Sequence, residues 1–220
     1  MANKTRSPEI INFQKQQMSK AALEIIVKEG YNNLSIRKLS NKLGISPTTI
    51  YNYFKNREEI YIYVLNNGFE MLYEELKKSY APAADPVDKL RALSRAFFSF
   101  STRERELAYI MLILDTPKYY DYLETEYEPF MRIELSNALK CRDEVIKIIS
   151  EISDRYPALP KDEVAFRTYS IIAKLVGLIT TCNNNLIKYL IDESEGAIER
   201  MLDDIMGPFE AVRERRHSGS

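Results

Sequence analysis

The sequence is poor in the residues that many enzymes and metal sites depend on. Its 220 residues include no Trp, one His and two Cys. The single His, His217, lies in the last four residues, so a Ser-His-Asp or Cys-His site would have to use it, and a His-rich zinc site cannot be built. There is also no Gly-rich phosphate loop. We therefore expect no enzyme activity, no metal ion and no cofactor.

Low counts of Cys, Gly and Pro limit the class of protein further. Cys141 and Cys182 could form one disulfide at most, and so few cysteines predict two buried thiols in a reduced, cytoplasmic protein. Seven Gly and nine Pro are too few for a loop-rich or collagen-like chain. The longest apolar stretch, residues 171–182, contains Lys174 and is shorter than the roughly 20 residues that span a bilayer. We predict no membrane segment.

Charge is distributed unevenly along the chain. Residues 1–57 contain ten Lys and Arg against three acidic residues, a net charge of +7, whereas the remaining 163 residues carry −8. A basic segment favours contact with a polyanion. We therefore expect the N-terminal part, and not the acidic remainder, to meet such a partner.

The apolar spacing predicts an all-α fold, because it repeats every three to four residues and shows no convincing two-residue alternation. Capping and breaking residues set the helix bounds. Asn56 and Glu59 have the spacing of a capping box, and Gly207 with Pro208 should end the last helix. The predicted helices cover residues 9–29, 36–43, about seven residues from 47, 56–78, 87–101, 103–114, 118–155 with a bend or break near Pro129, 161–191 and 193–206.

Two short helices joined by a tight turn occupy residues 35–54. Ser35 and Ser46 are good N-caps and Gly44 interrupts the chain between them, which is the spacing of a helix-turn-helix. A shared apolar core would hold the second helix at the surface, where its first residues can enter a DNA major groove. A plain helical hairpin with a solvated face is the alternative. The core would use Leu39, Leu43, Ile45, Ile50 and Phe54, and the outward residues would be Thr48, Thr49, Asn52 and Tyr53.

These segments resemble the tetracycline-repressor (TetR) family of regulators. Residues 18–31, MSKAALEIIVKEGY, resemble the first helix of that family, and residues 35–60 resemble its helix-turn-helix and the start of its fourth helix. The most recognisable feature is Ile50-Tyr51-x-Tyr53-Phe54 with a basic residue three positions after the Phe. The resemblance covers about residues 10–65.

The resemblance implies roles for single positions in DNA binding. Ser35 and Tyr51 match phosphate-contacting residues, Tyr53 matches an aromatic residue at the groove edge, and Arg57 matches a residue that meets the DNA backbone. The candidate DNA-binding residues are Ser35, Arg37, Lys38, Ser46, Thr48, Thr49, Tyr51, Asn52, Tyr53, Lys55 and Arg57.

The second helix departs from the family pattern at Pro47 and Thr48. It lacks the Arg or Lys that usually reads guanine, so Thr48, Thr49 and Asn52 should contact base edges, with help from Arg37. Thr methyl groups suit thymine and Asn pairs with adenine, so we expect a preference for sites that contain A·T pairs.

The resemblance also implies a helical ligand-binding and dimerisation domain after about residue 60. The helix near residues 165–182 is apolar on more than one face, and Ala173 and Gly177 would let a partner backbone approach closely. We predict that this helix and the last one form a four-helix dimer interface; a purely intramolecular core is the alternative. The candidate interface residues are Ile171, Leu175, Gly177, Leu178, Ile179, Cys182, Ile198, Met201, Leu202 and Ile205.

Large apolar and aromatic side chains are concentrated in the middle of the chain. They could line a pocket for an apolar or aromatic small molecule, although an ordinary core would use the same residues. The candidate lining residues are Phe97, Phe100, Tyr109, Met111, Tyr127, Phe130, Met131 and Tyr169.

These features predict three parts: a three-helix DNA-binding head over residues 1–57, a ligand-binding and dimerisation bundle over 58–212, and a flexible tail over 213–220. The resemblance implies a cytoplasmic, homodimeric transcriptional regulator, expected to be a repressor that a small-molecule ligand releases from a palindromic operator in double-stranded DNA. A DNA-binding protein without a small-molecule inducer is one alternative. An all-α enzyme or carrier with an incidental basic head is another.

Overall fold

The structure is a computed structural model that describes residues 7–80, 85–190 and 194–217. Within these residues the chain forms helices and turns and no strand, which confirms the all-α prediction. Short 3₁₀ turns lie at Tyr31–Asn33, Tyr119–Tyr122 and Lys161–Glu163. The α-helices are α1 (Pro8–Glu29), α2 (Ile36–Leu43), α3 (Pro47–Tyr51), α4 (Arg57–Ser79), α5 (Pro86–Arg103), α6 (Arg105–Leu112), α7 (Glu128–Arg155), α8 (Val164–Asn183), α9 (Leu186–Leu190) and α10 (Ser194–His217).

Two glycines end the first two helices as their sequence positions predict. Gly30 follows α1 with φ +89°, and Gly44 follows α2 with φ +66°. A residue with a Cβ is strained at such angles, so glycine is the natural choice at both positions. The turn at Gly44 directs the chain from α2 into α3 within three residues.

Contacts divide the chain into two compact units. Unit 1 consists of Met1–Gly68 and Tyr109–Leu135, and unit 2 consists of Phe69–Ala108 and Ser136–Ser220. The domain boundary predicted after residue 57 therefore lies inside unit 1. The unit boundaries fall within α4, α6 and α7, where no Pro- or Gly-rich linker marks them, which explains why the sequence pattern missed them.

The apolar stripes of α1, α2 and α3 form the core of the N-terminal part of unit 1. Leu43 and Ile45 lie at its edge and are half-buried. The predicted core residues that are buried are Met18, Ala22, Ile25, Ile26, Leu39, Ile50 and Phe54.

The stretch predicted as one long helix over residues 118–155 is broken where Pro129 suggested. Helix α7 begins at Glu128, so Pro129 lies in its first turn, where a missing N–H leaves no partner unsatisfied. Residues 118–127 instead contain the 3₁₀ turn Tyr119–Tyr122. A second predicted helix, 161–191, is divided into α8 and α9 by Asn185, which adopts φ +57°, a conformation that Asn tolerates better than most residues.

In unit 2, α5, α8 and α10 pack against one another. Helix α10 continues through Pro208 to His217, so the predicted end at residues 207–208 is wrong. Proline removes one backbone hydrogen bond, but Phe209 is buried and Arg213 donates to Asp88 at 3.0 Å, and these contacts hold the following turns. The flexible tail is therefore wrong for residues 213–217, while residues 218–220 lie outside the described part.

Candidate DNA-binding surface

Serine caps fix the starts of α2 and α3. The Oγ of Ser35 accepts a hydrogen bond from the N–H of Lys38 at 3.2 Å. Likewise, Ser46 Oγ accepts from the N–H of Thr49 at 3.2 Å, and it lies 2.9 Å from the Thr49 hydroxyl. Helix α3 is only five residues long, and helices this short are marginal alone, so this cap and the packing of Ile50 hold it in place.

The two faces of α3 differ sharply in exposure. Ile50 is fully buried in unit 1, whereas Thr48, Tyr51 and Asn52 are exposed. Tyr51 and the C-cap Asn52 follow Thr48 by three and four positions, so both lie on the same side of the helix as Thr48. This face presents a methyl and hydroxyl group, a phenol and an amide to solvent, which is a set that can contact both base edges and phosphates.

Most of the basic residues around α3 already have acidic partners. Exposed ion pairs join Lys42 to Glu24 at 2.7 Å and Lys55 to Glu59 at 3.8 Å, and Lys38 pairs with Glu29. The bond from Lys42 lowers the pKa of Glu24. Exposed pairs of this kind contribute little to stability, so a phosphate can replace the carboxylate as the partner of each lysine.

Arg57 and Arg37 have different surroundings. The Nε of Arg57 donates to Glu58 at 2.8 Å, which raises the pKa of the guanidinium, and the group lies over the Tyr31 ring at 5.2 Å. Arg37, by contrast, is exposed on α2, and the described residues give it no ion-pair or hydrogen-bond partner through its side chain. To reach DNA, Arg37 would therefore break no side-chain contact with the described residues.

Comparison with known proteins adds an observation on the same residues. A family model described as bacterial regulatory proteins of the tetR family matches residues 19–64. The matched segment covers the second half of α1, all of α2 and α3, and the start of α4. Residues 19–64 therefore belong to the TetR family.

Curated relatives match part of the chain. The fatty acid metabolism regulator protein of Bacillus subtilis (strain 168) is 29% identical over 94 residues, 43% of this chain and 48% of that protein. The HTH-type transcriptional activator FasR of Mycolicibacterium smegmatis is 26% identical over 140 residues, 62% of this chain and 59% of that protein. The matches thus span about half to three fifths of the length of these relatives.

A solved structure shares the fold over most of its length. The crystal structure of the transcriptional regulator FadR from Bacillus subtilis in complex with stearoyl-CoA matches with a TM-score of 0.63 and 22% identity. The match covers 85% of this chain and 97% of that one. The likeness shows that the two chains share a fold.

Within the TetR-family head, the structure gathers the predicted DNA-binding residues on α2, α3 and the start of α4. The hydroxyl of Thr49 is bonded to Ser46, and its side chain is half-buried. Thr48 on α3 and its C-cap Asn52 have exposed side chains, and both remain predictions for contact with bases. Tyr53 is half-buried, and the remaining predicted residues stay predictions for DNA contact.

The predicted pocket residues are distributed over both units. Phe97 and Phe100 are buried in unit 2, and Met111 and Met131 are buried in unit 1. Tyr109 and Tyr127 are half-buried in unit 1, where Tyr127 accepts a hydrogen bond from Asn56. Phe130 and Tyr169 are exposed, more than the lining of an enclosed cavity would be. The pocket as a set stays a prediction.

Part of the predicted dimer interface is used inside the chain. Helix α8 turns one apolar face toward α5 and α10 of unit 2, so those side chains are not free to meet a partner. Gly177 is exposed, and Cys182, Ile198 and Met201 are half-buried. The residues corrected from interface to core are Ile171, Leu175, Leu178, Ile179, Leu202 and Ile205.

Sequence reasoning missed a group of tyrosines and one asparagine in unit 1. Tyr31, Tyr61 and Tyr122 lie close together, and Asn56 meets Tyr127. The concentration of tyrosines around residue 120 was visible in the sequence. The contacts of Tyr122 with Tyr31 and of Tyr127 with Asn56 were not visible, because these partners lie 91 and 71 positions apart in the chain.

Proposed function

We propose that this TetR-family protein is a transcriptional repressor of the cytoplasm that binds a palindromic operator in double-stranded DNA. The observation that carries the proposal is the set of exposed side chains of Thr48, Tyr51 and Asn52, at a short helix that is capped by a serine and anchored by one buried isoleucine. A helix held in this way can enter the major groove with its side chains aimed at base edges. Around it, Arg37 and the paired lysines supply charge for phosphates.

DNA selected by the protein from a random duplex pool provides the first test. We expect the selected sites to be palindromic and the affinity to fall steeply with salt, by about 0.9 log units per log unit of salt for each phosphate neutralised. The measurement is fluorescence anisotropy of a labelled duplex between 50 and 200 mM salt. Failure to enrich any sequence, or an affinity insensitive to salt, would overturn the proposal.

Binding to a palindrome requires two heads at a fixed distance, and the exposed face of α8 supports a homodimer. Phe166 is 64% exposed and Tyr169 59% exposed, and Ala173 and Gly177 are exposed farther along the same helix. Their spacing of three and four residues places them on one stripe. A second copy of the chain would bury this stripe, with the small residues allowing close approach of the helices.

A second interpretation of this apolar helix is that it spans a membrane. Residues Lys161–Asn183 are long and apolar enough to cross a membrane by length and composition, with a mean hydropathy of 1.3 in the best window and 28% of that window buried. Such a helix in isolation is weak support for a membrane span. A face that pairs with a second copy explains the same exposure without removing Lys174 from water.

Gly177→Glu tests the dimer cleanly. A Cβ at Gly177 would meet nothing within 4 Å in the single chain, so the new side chain fits the monomer and places a charge only in the proposed interface. We expect folded monomers by light scattering and circular dichroism, with lost operator binding. Ser99→Glu, which adds the same charge at an exposed position of α5, should stay dimeric. A dimeric Gly177→Glu variant that still binds DNA would mean that the interface lies elsewhere.

We further propose that the ligand is a long-chain acyl-CoA. Support comes from the Bacillus subtilis relative named for fatty acid metabolism and from the solved complex of the similar FadR with stearoyl-CoA. In this chain, Phe97 and Phe100 are buried in unit 2, and their apolar side chains are suited to contact with an acyl chain.

Stearoyl-CoA added to the protein–DNA complex should lower the anisotropy of the labelled operator and raise the melting temperature of the free protein. Free CoA and free stearate serve as controls, since each contains one half of the ligand. If stearoyl-CoA changed neither quantity at micromolar concentration, the acyl-CoA proposal would be wrong. In that case DNA binding without this class of inducer would be the remaining function.

A further inference from the structure

The segment Thr116–Tyr127, which we name the tyrosine strap, connects α6 to α7 within unit 1. Its first contact is with α4, the helix that follows the head. The Tyr61 hydroxyl lies 2.7 Å from the carbonyl oxygen of Pro117 and 2.9 Å from Thr116 Oγ1, and Tyr61 is fully buried. Burial raises the pKa of Tyr61, so its hydroxyl keeps the proton that it donates to the strap.

The second contact lies at the 3₁₀ turn before α2. The hydroxyl oxygens of Tyr31 and Tyr122 are 3.1 Å apart, and Tyr122 is buried. The Tyr31 ring meets Tyr61 edge to face, with centroids 4.8 Å apart, an arrangement that aromatic pairs favour. Arg57 covers the Tyr31 ring, so this tyrosine is held from the head as well as from the strap.

The third contact lies at the start of α4. Asn56 Nδ2 donates to the Tyr127 hydroxyl at 2.6 Å, while Asn56 Oδ1 accepts from the N–H of Glu59 at 3.0 Å. One side chain thus caps α4 and binds the strap. The predicted capping box differs in its return bond, since the Glu59 carboxylate accepts from the N–H of Lys55.

These contacts flank the helix-turn-helix on both sides along the chain. Tyr31 lies four residues before Ser35, the cap of α2, and Asn56 lies four residues after Asn52, the cap of α3. The residues that lead into and out of α2 and α3 are therefore both tied to the strap. A rotation of the pair of helices relative to the strap would stretch at least one of the hydroxyl contacts.

We infer that Tyr122 and Tyr127 are positioning residues for DNA binding, which hold the helix-turn-helix in the orientation that recognises the operator. The inference rests on the proposed DNA-binding function. Neither tyrosine needs to touch DNA. When a hydroxyl is removed, the head samples more orientations and must give up that freedom when it binds a specific site.

Tyr122→Phe and Tyr127→Phe each remove one hydroxyl and keep the ring, the volume and the net charge. We expect each variant to bind the selected operator about fivefold more weakly, the effect of losing one ordinary hydrogen bond. Affinity for a scrambled duplex depends mainly on charge and should not change. A merely structural role would reduce the folded fraction and lower both affinities equally. An equal loss on both duplexes, no loss, or tighter operator binding would overturn the inference.

Two further variants identify the bond itself. Tyr31→Phe combined with Tyr122→Phe should lose no more affinity than either single variant, because both changes delete the same contact. Tyr120→Phe is the matched control. It removes a hydroxyl from the same strap at a residue that is 78% exposed, and it should bind like the unaltered protein. Additive losses, or a Tyr120→Phe loss as large as that of Tyr122→Phe, would contradict the assignment.

Hydrogen exchange without DNA separates this inference from the proposed function. In Tyr122→Phe the amides of Tyr31–Asn33 should exchange faster than in Tyr120→Phe, and in Tyr127→Phe the same should hold for the first amides of α4. If the unaltered protein binds no selected DNA, the proposed function fails and exchange still tests the contacts. If it binds DNA while exchange and operator affinity are unchanged in both variants, the positioning role fails alone.

Discussion

Glu134 is a buried carboxyl group on α7, and we predict that it makes the stability of the protein depend on pH. It is 8% exposed, and burial raises its pKa from an ordinary value of 4.5 to about 7, although the charge of Lys118 acts in the opposite direction. The perturbation is Glu134→Gln, which keeps the size of the side chain and removes the titration.

The direction of the pH effect on stability depends on whether the folded or the unfolded state binds the proton of Glu134 more tightly. Between pH 4.5 and about 7 the folded protein keeps the proton on Glu134 and the unfolded chain loses it, so the free energy of unfolding falls as the pH rises. A pKa difference of one is equivalent to about 1.4 kcal/mol. The full effect is therefore about 3 kcal/mol, of which about 2 kcal/mol is lost between pH 5 and pH 7.5.

Urea unfolding followed by circular dichroism measures this effect. Both proteins are studied at one protein concentration, because association contributes to apparent stability. The difference in unfolding free energy between the natural protein and Glu134→Gln should shift by about 2 kcal/mol from pH 5 to pH 7.5, against the natural protein. Titrations at intermediate pH should place the midpoint of the change between the two pKa values.

A constant difference across this pH range would refute the reasoning, since it would mean that Glu134 ionises alike in the folded and unfolded states. The control is Glu70→Gln, which neutralises an exposed carboxylate on α4. Its difference from the natural protein should stay nearly constant over the same range. A pH-dependent shift as large in Glu70→Gln would assign the effect to overall charge instead of to burial.

Two further predictions concern the head. Ser46→Ala removes the hydroxyl that caps α3 and should lower the free energy of unfolding by about 1 kcal/mol in the urea assay; an unchanged value would show that packing of Ile50 alone holds the helix. Asn52→Ala should relax the preference at one base pair, measured on duplexes with single substitutions, whereas Tyr51→Phe should weaken binding about equally on all of them. If Asn52→Ala kept every mismatch penalty, the assignment of Asn52 to base contact would be wrong.

The helices of the head could be predicted from the sequence because their ends and buried faces depend on residues that are close together in the chain. Gly30 and Gly44 end helices through their own backbone freedom, and Ser46 caps α3 through a residue three positions away. The apolar spacing of α1 gives its buried stripe in the same way. These features need only a few neighbouring residues, so each is already specified before the chain folds.

Length was the feature of the helices that local signals determined least well. Helix α10 passes through Pro208, which the pattern treated as an end. The contacts that carry it further, such as Arg213 with Asp88, join positions 125 apart in the chain. The helix-breaking tendency of Pro208 is therefore outweighed by tertiary contacts between residues that are far apart in the sequence.

By itself, the sequence determined the all-α class, the helix-turn-helix and its capping residues, since each depends on residues within one or two helical turns. Only the tertiary structure decided which face of α8 is core and which is free, because an apolar helix offers several faces and the neighbours select one. It also decided that Tyr122 meets Tyr31 and that Tyr127 meets Asn56. Such pairs form when folding brings together residues that are far apart in the chain. The sequence of the intervening segment does not show which residues will pair.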